Sequence, residues 1–243
     1  MPQRERNQTQ SSWYATFLLF FTLILSFSVV ITAEWLWIWA QKPTSLPIKQ
    51  IRIDGQFSHV SPAIVGQIVK TKMSGGFFSL HLSAAKQAIL AFPWIAHVSF
   101  RRVWPDTLTV RCKEQQAVAR FGNNGLLSDK GVIFFPDANT IPQNLPELNG
   151  PANQAATMWD FYNNVNTLSK ILNLSVTELQ LSQTQSWRLT LSNQVQVVIG
   201  SNDALNRFKQ FVAIYPKITA SSDKKIALVD LRYPNGVAVR FGD

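Results

Sequence analysis

The sequence predicts an α+β protein hung on one apolar helix. Three observations carry that prediction. Residues 13–33 form an almost wholly apolar run without a charge. Several later segments alternate apolar and polar residues, the period of a half-buried strand. Two further segments repeat apolar residues at helical spacing. At 243 residues the chain has room for an anchor and about one or two small domains. An apolar content of 46% supplies their cores and excludes wholesale disorder.

The apolar run comes first. Twenty-one residues at 1.5 Å each reach about 31 Å, the thickness of a bilayer core. Trp13 and Tyr14 stand at one end and Trp35, Trp37 and Trp39 at the other, as aromatic belts do at the two membrane interfaces. The run exceeds the apolar core of a signal peptide and no clean A-x-A site follows, which favours a retained anchor. Arg4 and Arg6 place the N-terminus in the cytoplasm. The expected division is a tail over 1–12, a transmembrane helix with its interface over 13–40, and a short stiff linker over 41–46.

The first domain is expected over 47–114. Ile51-Arg-Ile-Asp-Gly55 reads as a strand stopped by glycine. Ser61-Pro62 opens a helix carrying Ile64, Val65, Ile68 and Val69. Gly75-Gly76 breaks the chain, and Ser83 starts a second short helix that Pro93 ends. Ala96, Val98 and Phe100, then Leu108, Val110 and Cys112, alternate with polar residues on either side of Trp104-Pro-Asp-Thr107. That is a hairpin with one apolar and one basic face, giving the order β-α-α-β-β. Cys112 falls on the apolar face and reads as a small core residue.

The second domain is expected over 115–243. Short apolar runs at Ala117–Phe121, Gly125–Leu127 and Val132–Phe135 are separated by turn signals. The proline-rich stretch Pro136–Pro151 reads as a surface loop. Trp159, Tyr162, Val165, Leu168 and Leu172 make one helical stripe. Leu205, Phe208, Phe211, Val212 and Tyr215 make another, with Pro216 as its expected end. Val176–Leu181, Arg188–Leu191 and Val195–Ile199 read as strands. Ile226–Leu231 and Val237–Phe241 pair across Tyr233-Pro-Asn-Gly236. The expected architecture is an antiparallel sheet with helices on one face. Trp187 is open to two readings, an exposed interface anchor or a core residue. The last strand is likewise open, as a free sheet edge that templates a partner strand or as a covered strand.

The formal charge of +9 lies in the part after the helix, because Arg4, Glu5 and Arg6 contribute +1 and Glu34 cancels it. A basic extramembrane part favours acidic partners, among them anionic lipid headgroups. Nucleic acid is not expected, since the longest basic runs are the pairs Arg101-Arg102 and Lys224-Lys225. His59, His81 and His97 lack metal-ligand spacing, and the single cysteine forms no internal disulfide. No G-x-S-x-G, H-E-x-x-H or glycine-rich phosphate loop is present. No catalytic residue, metal or cofactor is therefore expected.

Four stretches resemble the bacterial cell-division FtsQ family, called DivIB in Gram-positive bacteria. They are Ile51-Arg-Ile-Asp-Gly55, Phe92-Pro-Trp-Ile95, Arg101-Arg-Val-Trp-Pro-Asp-Thr-Leu108 and Val229-Asp-Leu-Arg-Tyr-Pro-Asn-Gly236, in the family's order. Leu145-Pro-Glu-Leu-Asn-Gly150 and Ser186-Trp187 also fit. The resemblance implies that the first domain is a POTRA domain and the second the family's β-domain. It implies a non-enzymatic scaffold of the divisome in the bacterial inner membrane, with its domains in the periplasm and enriched at the septum. It implies binding to the coiled-coil proteins FtsB and FtsL, linking early to late division proteins and septal peptidoglycan synthesis. In similar proteins FtsB adds a strand to the last β-strand, a site that maps here to Arg232, Tyr233, Asn235 and Gly236, with Val237, Ala238, Val239 and Arg240 as the pairing strand. Many members continue past this strand with a polar tail; the sequence ends at Asp243, so no contact of such a tail is carried over. A POTRA-bearing export or assembly component is the alternative reading, weakened because two helical stripes in about 130 residues do not suit a membrane barrel.

Overall fold

A computed structural model describes residues 6–42, 46–233 and 236–242. Helix α1 spans Arg6–Gln41, and its stretch Phe17–Ala40 is long and apolar enough to cross a membrane. The side chains described along it, from Phe17 to Ala40, are almost all exposed, so little among the described residues covers them. An all-apolar surface of this kind is stable in lipid and not in water. The hydroxyls of Thr22, Ser26 and Thr32 donate to carbonyls three or four residues earlier, which satisfies them without solvent. Trp13 and Tyr14, the proposed belt at the near end, lie outside the described side chains. So do residues 43–45 of the expected linker.

The chain divides into two compact units. The first takes in Met1–Gln56, Ser61–Leu90 and Val98–Cys112; the second takes in Phe57–Val60, Ala91–His97 and Lys113–Asp243. After α1 the elements run β1 (Gln50–Asp54), α2 (Pro62–Lys72), α3 (Ser83–Leu90), β2 (Ile95–Val103) and β3 (Thr107–Glu114), the predicted β-α-α-β-β order. The sheet order is β1-β3-β2, with β1 parallel to β3. Val65, Val69, Ala85, Ile89, Val98, Leu108, Val110 and Cys112 are buried between sheet and helices. Burial pushes the Cys112 thiol pKa up, as suits a core residue. Gly66 lets α2 pack on β1: a Cβ there would stand 3.0 Å from Ile53 Cδ1. Gly75 has φ +93°, and a Cβ would fall 2.2 Å from the Ser79 carbonyl oxygen, so only glycine fits that turn.

The second unit holds β4 (Ala117–Phe121), β5 (Gly125–Ser128), β6 (Ile133–Phe134), β7 (Glu147–Asn149), α4 (Ala155–Ser169), β8 (Val176–Leu181), β9 (Trp187–Leu191), β10 (Gln196–Gly200), α5 (Ala204–Ala220), β11 (Ile226–Asp230) and β12 (Ala238–Phe241). Its nine strands follow the order β12-β11-β10-β9-β8-β7-β4-β5-β6. Phe121, Leu148, Leu179, Leu189, Val197, Val229 and Val239 are register neighbours along one row. That row belongs to the core that Met158, Tyr162, Val165, Phe208, Phe211 and Tyr215 of α4 and α5 complete. Both helices therefore lie on one face, as predicted. Trp187 is part of this core, stacked on Phe161 at 4.1 Å, which decides between its two readings.

Three details depart from the sequence prediction. The sheet is mixed, because β4–β7, β7–β8 and β10–β11 are parallel. The stretch expected to be a surface loop contains β7, which sits between β4 and β8 and buries Leu148. Three residues are too few to show an alternation, and the prolines around them hide the strand. Finally, α5 continues through Pro216 to Ala220. Only one turn follows the proline. Thr219 Oγ1 bonds the Tyr215 and Pro216 carbonyls there, and Ile218 still packs on the core, which offsets the lost backbone bond.

Replacing the fully buried Phe208 by Ala should lower stability by about 3–5 kcal/mol. Replacing Ile171, which is 70% exposed, should change it by less than about 0.5 kcal/mol. Urea unfolding of both variants checks the contrast.

Candidate partner-binding surface

β12 lies at one edge of the large sheet and, among the described residues, pairs only with β11. Its inward residues Val239 and Phe241, with Val237 just before it, are half-buried against the core. Ala238 and Arg240 face outward and are exposed. Alternation on this strand thus fixes one face to the core and leaves one long side of the backbone without a partner strand among the described residues. Such an edge presents N–H and C=O groups in the spacing of a strand ladder.

The approach to the edge is held by a charged pair. Asp230, at the end of β11, is 8% exposed. It accepts hydrogen bonds from Arg232 N at 3.0 Å, Nε at 2.9 Å and Nη2 at 2.6 Å. The Arg232 hydrogen bond, helped by its backbone N–H and by the charges of Arg232 and Arg188 and opposed by burial, holds the Asp230 carboxyl below its ordinary range. Gly200, at φ +90°, leaves space for this arrangement: a Cβ there would lie 3.1 Å from Arg232 Cγ. Arg232 is thus committed to its own hairpin while most of its side chain stays exposed. Tyr233 is 58% exposed beside it. Gly236 faces open space. Asn235, the remaining residue of the predicted site, lies outside the described residues.

Next to this hairpin the sheet face opposite the helices carries a polar row. Asn149, Gln180, Arg188, Val198, Asp230 and Ala238 are register neighbours from β7 to β12. A groove of about 630 Å³ runs over the row, from Gly150 and Ser182 to Arg188 and Arg232. One row further on, Glu178 accepts from Gln180 Nε2 at 2.6 Å and Thr190 Oγ1 at 3.3 Å. Sequence reasoning missed Asp230, Arg188 and this groove. Asp230 stood inside a quoted family segment; for the groove only the pairing register carries the signal.

A second carboxylate is equally well held within the same unit. Glu114 accepts the backbone N–H groups of Ser58, His59 and Val60 at 2.9–3.2 Å, and His59 Nδ1 lies 3.0 Å from its Oε2. A carboxylate only accepts, so Nδ1 carries the proton. The His59 ring stacks on Trp94 at 3.5 Å, and Trp94 Nε1 donates to Thr140 Oγ1. Burial alone would raise the Glu114 pKa; the bonds from His59, Val60 and Ser58 outweigh it and lower it. Among the described residues no group of three or more His, Cys, Asp and Glu side chains is placed to hold a metal ion.

Residues 46–115 match the family described as POTRA domain, FtsQ-type, and residues 117–232 match Cell division protein FtsQ/DivIB, C-terminal. The cell division protein FtsQ of Coxiella burnetii is 37% identical over 199 residues, 82% of each chain. The chain belongs to the FtsQ family of bacterial cell-division proteins. The FtsQ of Burkholderia pseudomallei is 32% identical over 241 residues, 98% of this chain and 92% of that one. That of Shewanella oneidensis is 31% identical over 236 residues, 97% and 90%. Family membership and α1 together make this a single-pass membrane protein of the division machinery, with a POTRA domain followed by a β-sheet domain.

Glu114 and Asp230 titrate below their ordinary values of 4.5 and 3.8 when folded. The unfolded chain then binds more protons near those values, so stability rises with pH there. Their contribution is complete above about pH 5 and is lost as the pH falls through the lowered folded values. The melting temperature should drop on acidification below about pH 5, and drop less in Glu114→Gln, which starts lower. Thermal unfolding followed by circular dichroism from pH 7 to 3 measures both.

Proposed function

We propose that this chain is a non-enzymatic scaffold that binds FtsB, together with FtsL, by adding a strand of FtsB to β12. Its anchor over 13–40 holds the N-terminus in the cytoplasm, and its domains over 47–114 and 115–243 work in the periplasm at the septum. There it links early to late division proteins and helps control septal peptidoglycan synthesis. The observation that carries the reading is the position of β12 at the sheet edge, with one face fixed to the core. Each main-chain hydrogen bond to an added strand contributes about 0.5–1.5 kcal/mol net, so a run of them gives affinity with little demand on side chains.

Side chains then supply selectivity. Tyr233 offers an exposed ring with a polar tip at the start of the edge. Val237, Ala238, Val239 and Arg240 form the pairing strand in this reading, and Asn235 and Gly236 precede it in the mapped motif. Arg232 has two roles open to it: organising the hairpin through Asp230, or meeting an acidic partner residue with its exposed side. The basic balance of the extramembrane part suits an acidic partner.

Binding of the full chain in nanodiscs to the periplasmic segment of its own FtsB tests the reading. Tyr233→Ala should raise the Kd by about tenfold or more without changing the melting temperature. Unchanged affinity would move the interface away from this edge. Arg232→Ala should lower the melting temperature, because Asp230 loses its partner. A raised Kd at unchanged melting temperature would instead assign Arg232 to the partner.

A further inference from the structure

The tip of the β2–β3 hairpin is unusually apolar for an exposed turn. Trp104 at its apex is 73% exposed and Val103 beside it is 41% exposed. Scattered exposed apolar residues are ordinary on a soluble surface. This pair is set apart by its place relative to the membrane helix, and four observations within the first unit fix that place.

The chain leaves α1 at Gln41 and starts β1 at Gln50. The eight residues between them span at most about 28 Å. The start of β1 meets the hairpin tip directly: Lys49 N donates to the Asp106 carbonyl at 2.9 Å, and Gln50 is the register partner of Thr107. The loop after α2 lies at the same end. Phe77 N donates to the Leu46 carbonyl at 2.8 Å, and the Phe78 ring is 6.3 Å from the ring of Trp37 on α1. Arg102 joins the two, because its guanidinium donates to the carbonyls of Phe78 and Leu80 at 3.5 and 3.4 Å.

Trp35, Trp37 and Trp39 end the apolar stretch of α1, where tryptophan marks the headgroup level of a bilayer. Phe78 is therefore at that level, and the hairpin tip is tied to it. The charges agree. Lys49, Arg101 and Arg102 surround the tip against one carboxylate, Asp106, which is 4.0 Å from Lys49 Nζ. An exposed indole beside a basic cluster is the composition that inserts among anionic headgroups.

We propose that the β2–β3 hairpin tip is a second membrane contact, in which Trp104 and Val103 enter the headgroup layer and Arg101 and Lys49 bind anionic lipid phosphates. The contact lies on the side of the bilayer where α1 ends. It rests on the reading of α1 as a membrane span, and it orients the first unit against the bilayer instead of leaving it to swing on its linker. A flexible linker alone would leave that orientation free.

The full chain, with Cys112→Ala, is reconstituted in vesicles of phosphatidylcholine with or without phosphatidylglycerol. A polarity-sensitive fluorophore is placed at one of three positions: Val103→Cys, Gln56→Cys beyond the opposite end of β1, or Leu25→Cys in α1. Quenchers attached to lipid headgroups, or dissolved in water, read its surroundings. The reporter at 103 should be quenched from the lipid and shielded from water in vesicles containing phosphatidylglycerol, while the one at 56 stays in water. Trp104→Glu should return the reporter at 103 to water, and Arg101→Gln should lower its bound-to-free ratio about fivefold. Circular dichroism of each variant checks that the fold is kept. A reporter at 103 as wet as that at 56 overturns the proposal, as does one shielded from both quenchers, which would mean a protein surface covers the tip. The reporter at 25 separates the two failures: if it is not in the hydrocarbon, the anchor reading fails first.

Discussion

The row Leu148, Leu179, Leu189, Val197, Val229 and Val239 fixes the second unit. Each of these residues faces the helices because its two neighbours along the strand face away. A slip of one residue in any strand would turn its apolar set to water and its polar set into the core. The register is therefore set by burial over six strands, and everything on the opposite face inherits it. The polar row Asn149, Gln180, Arg188 and Asp230 and the groove above it exist because the inward row is where it is. So does the outward placement of Ala238 and Arg240 on the edge strand.

That constraint also separates what is rigid from what is available. α4 and α5 pack on the core face, and Phe208 and Phe211 have no exposed surface. One long side of β12 has no partner strand among the described residues, and the polar row lines a groove on the face opposite the helices. Asp230 and Arg232 then set how the chain arrives at the edge, since a buried carboxylate must be paired and its partner is two residues away. The proposed scaffold role would draw on this arrangement: a fixed edge and an anchored approach to it. Glu114 does comparable work within the same unit, gathering three backbone N–H groups and a histidine onto one carboxylate.

Much of the fold was legible because the apolar pattern repeats over enough residues to be read. The anchor, the β-α-α-β-β order and both helical stripes are long periodic signals, and the strands of the second unit came within a residue or two of their observed ends. The misses have local reasons. β7 is three residues long and flanked by Pro146 and Pro151. Parallel pairing at β4–β7, β7–β8 and β10–β11 depends on how helices and long connections return the chain, which alternation does not encode. Pro216 marks a break in isolation, yet the packing of Ile218 carries α5 past it.

The candidate surface divides in the same way. Sequence by itself determined the apolar helix and the family, because these rest on composition and on contiguous motifs; the site mapped around Arg232 and Tyr233 is read from the same motifs and stays a proposal. Tertiary structure alone decided that β12 is an edge, that Trp187 is core and that Arg232 is held by Asp230. It alone brought Trp104 and Phe78 to the end of the first unit where the membrane helix arrives. The physical reason is that periodicity records which face of a strand or helix is buried, whereas strand order and the meeting of distant loops depend on how buried faces combine.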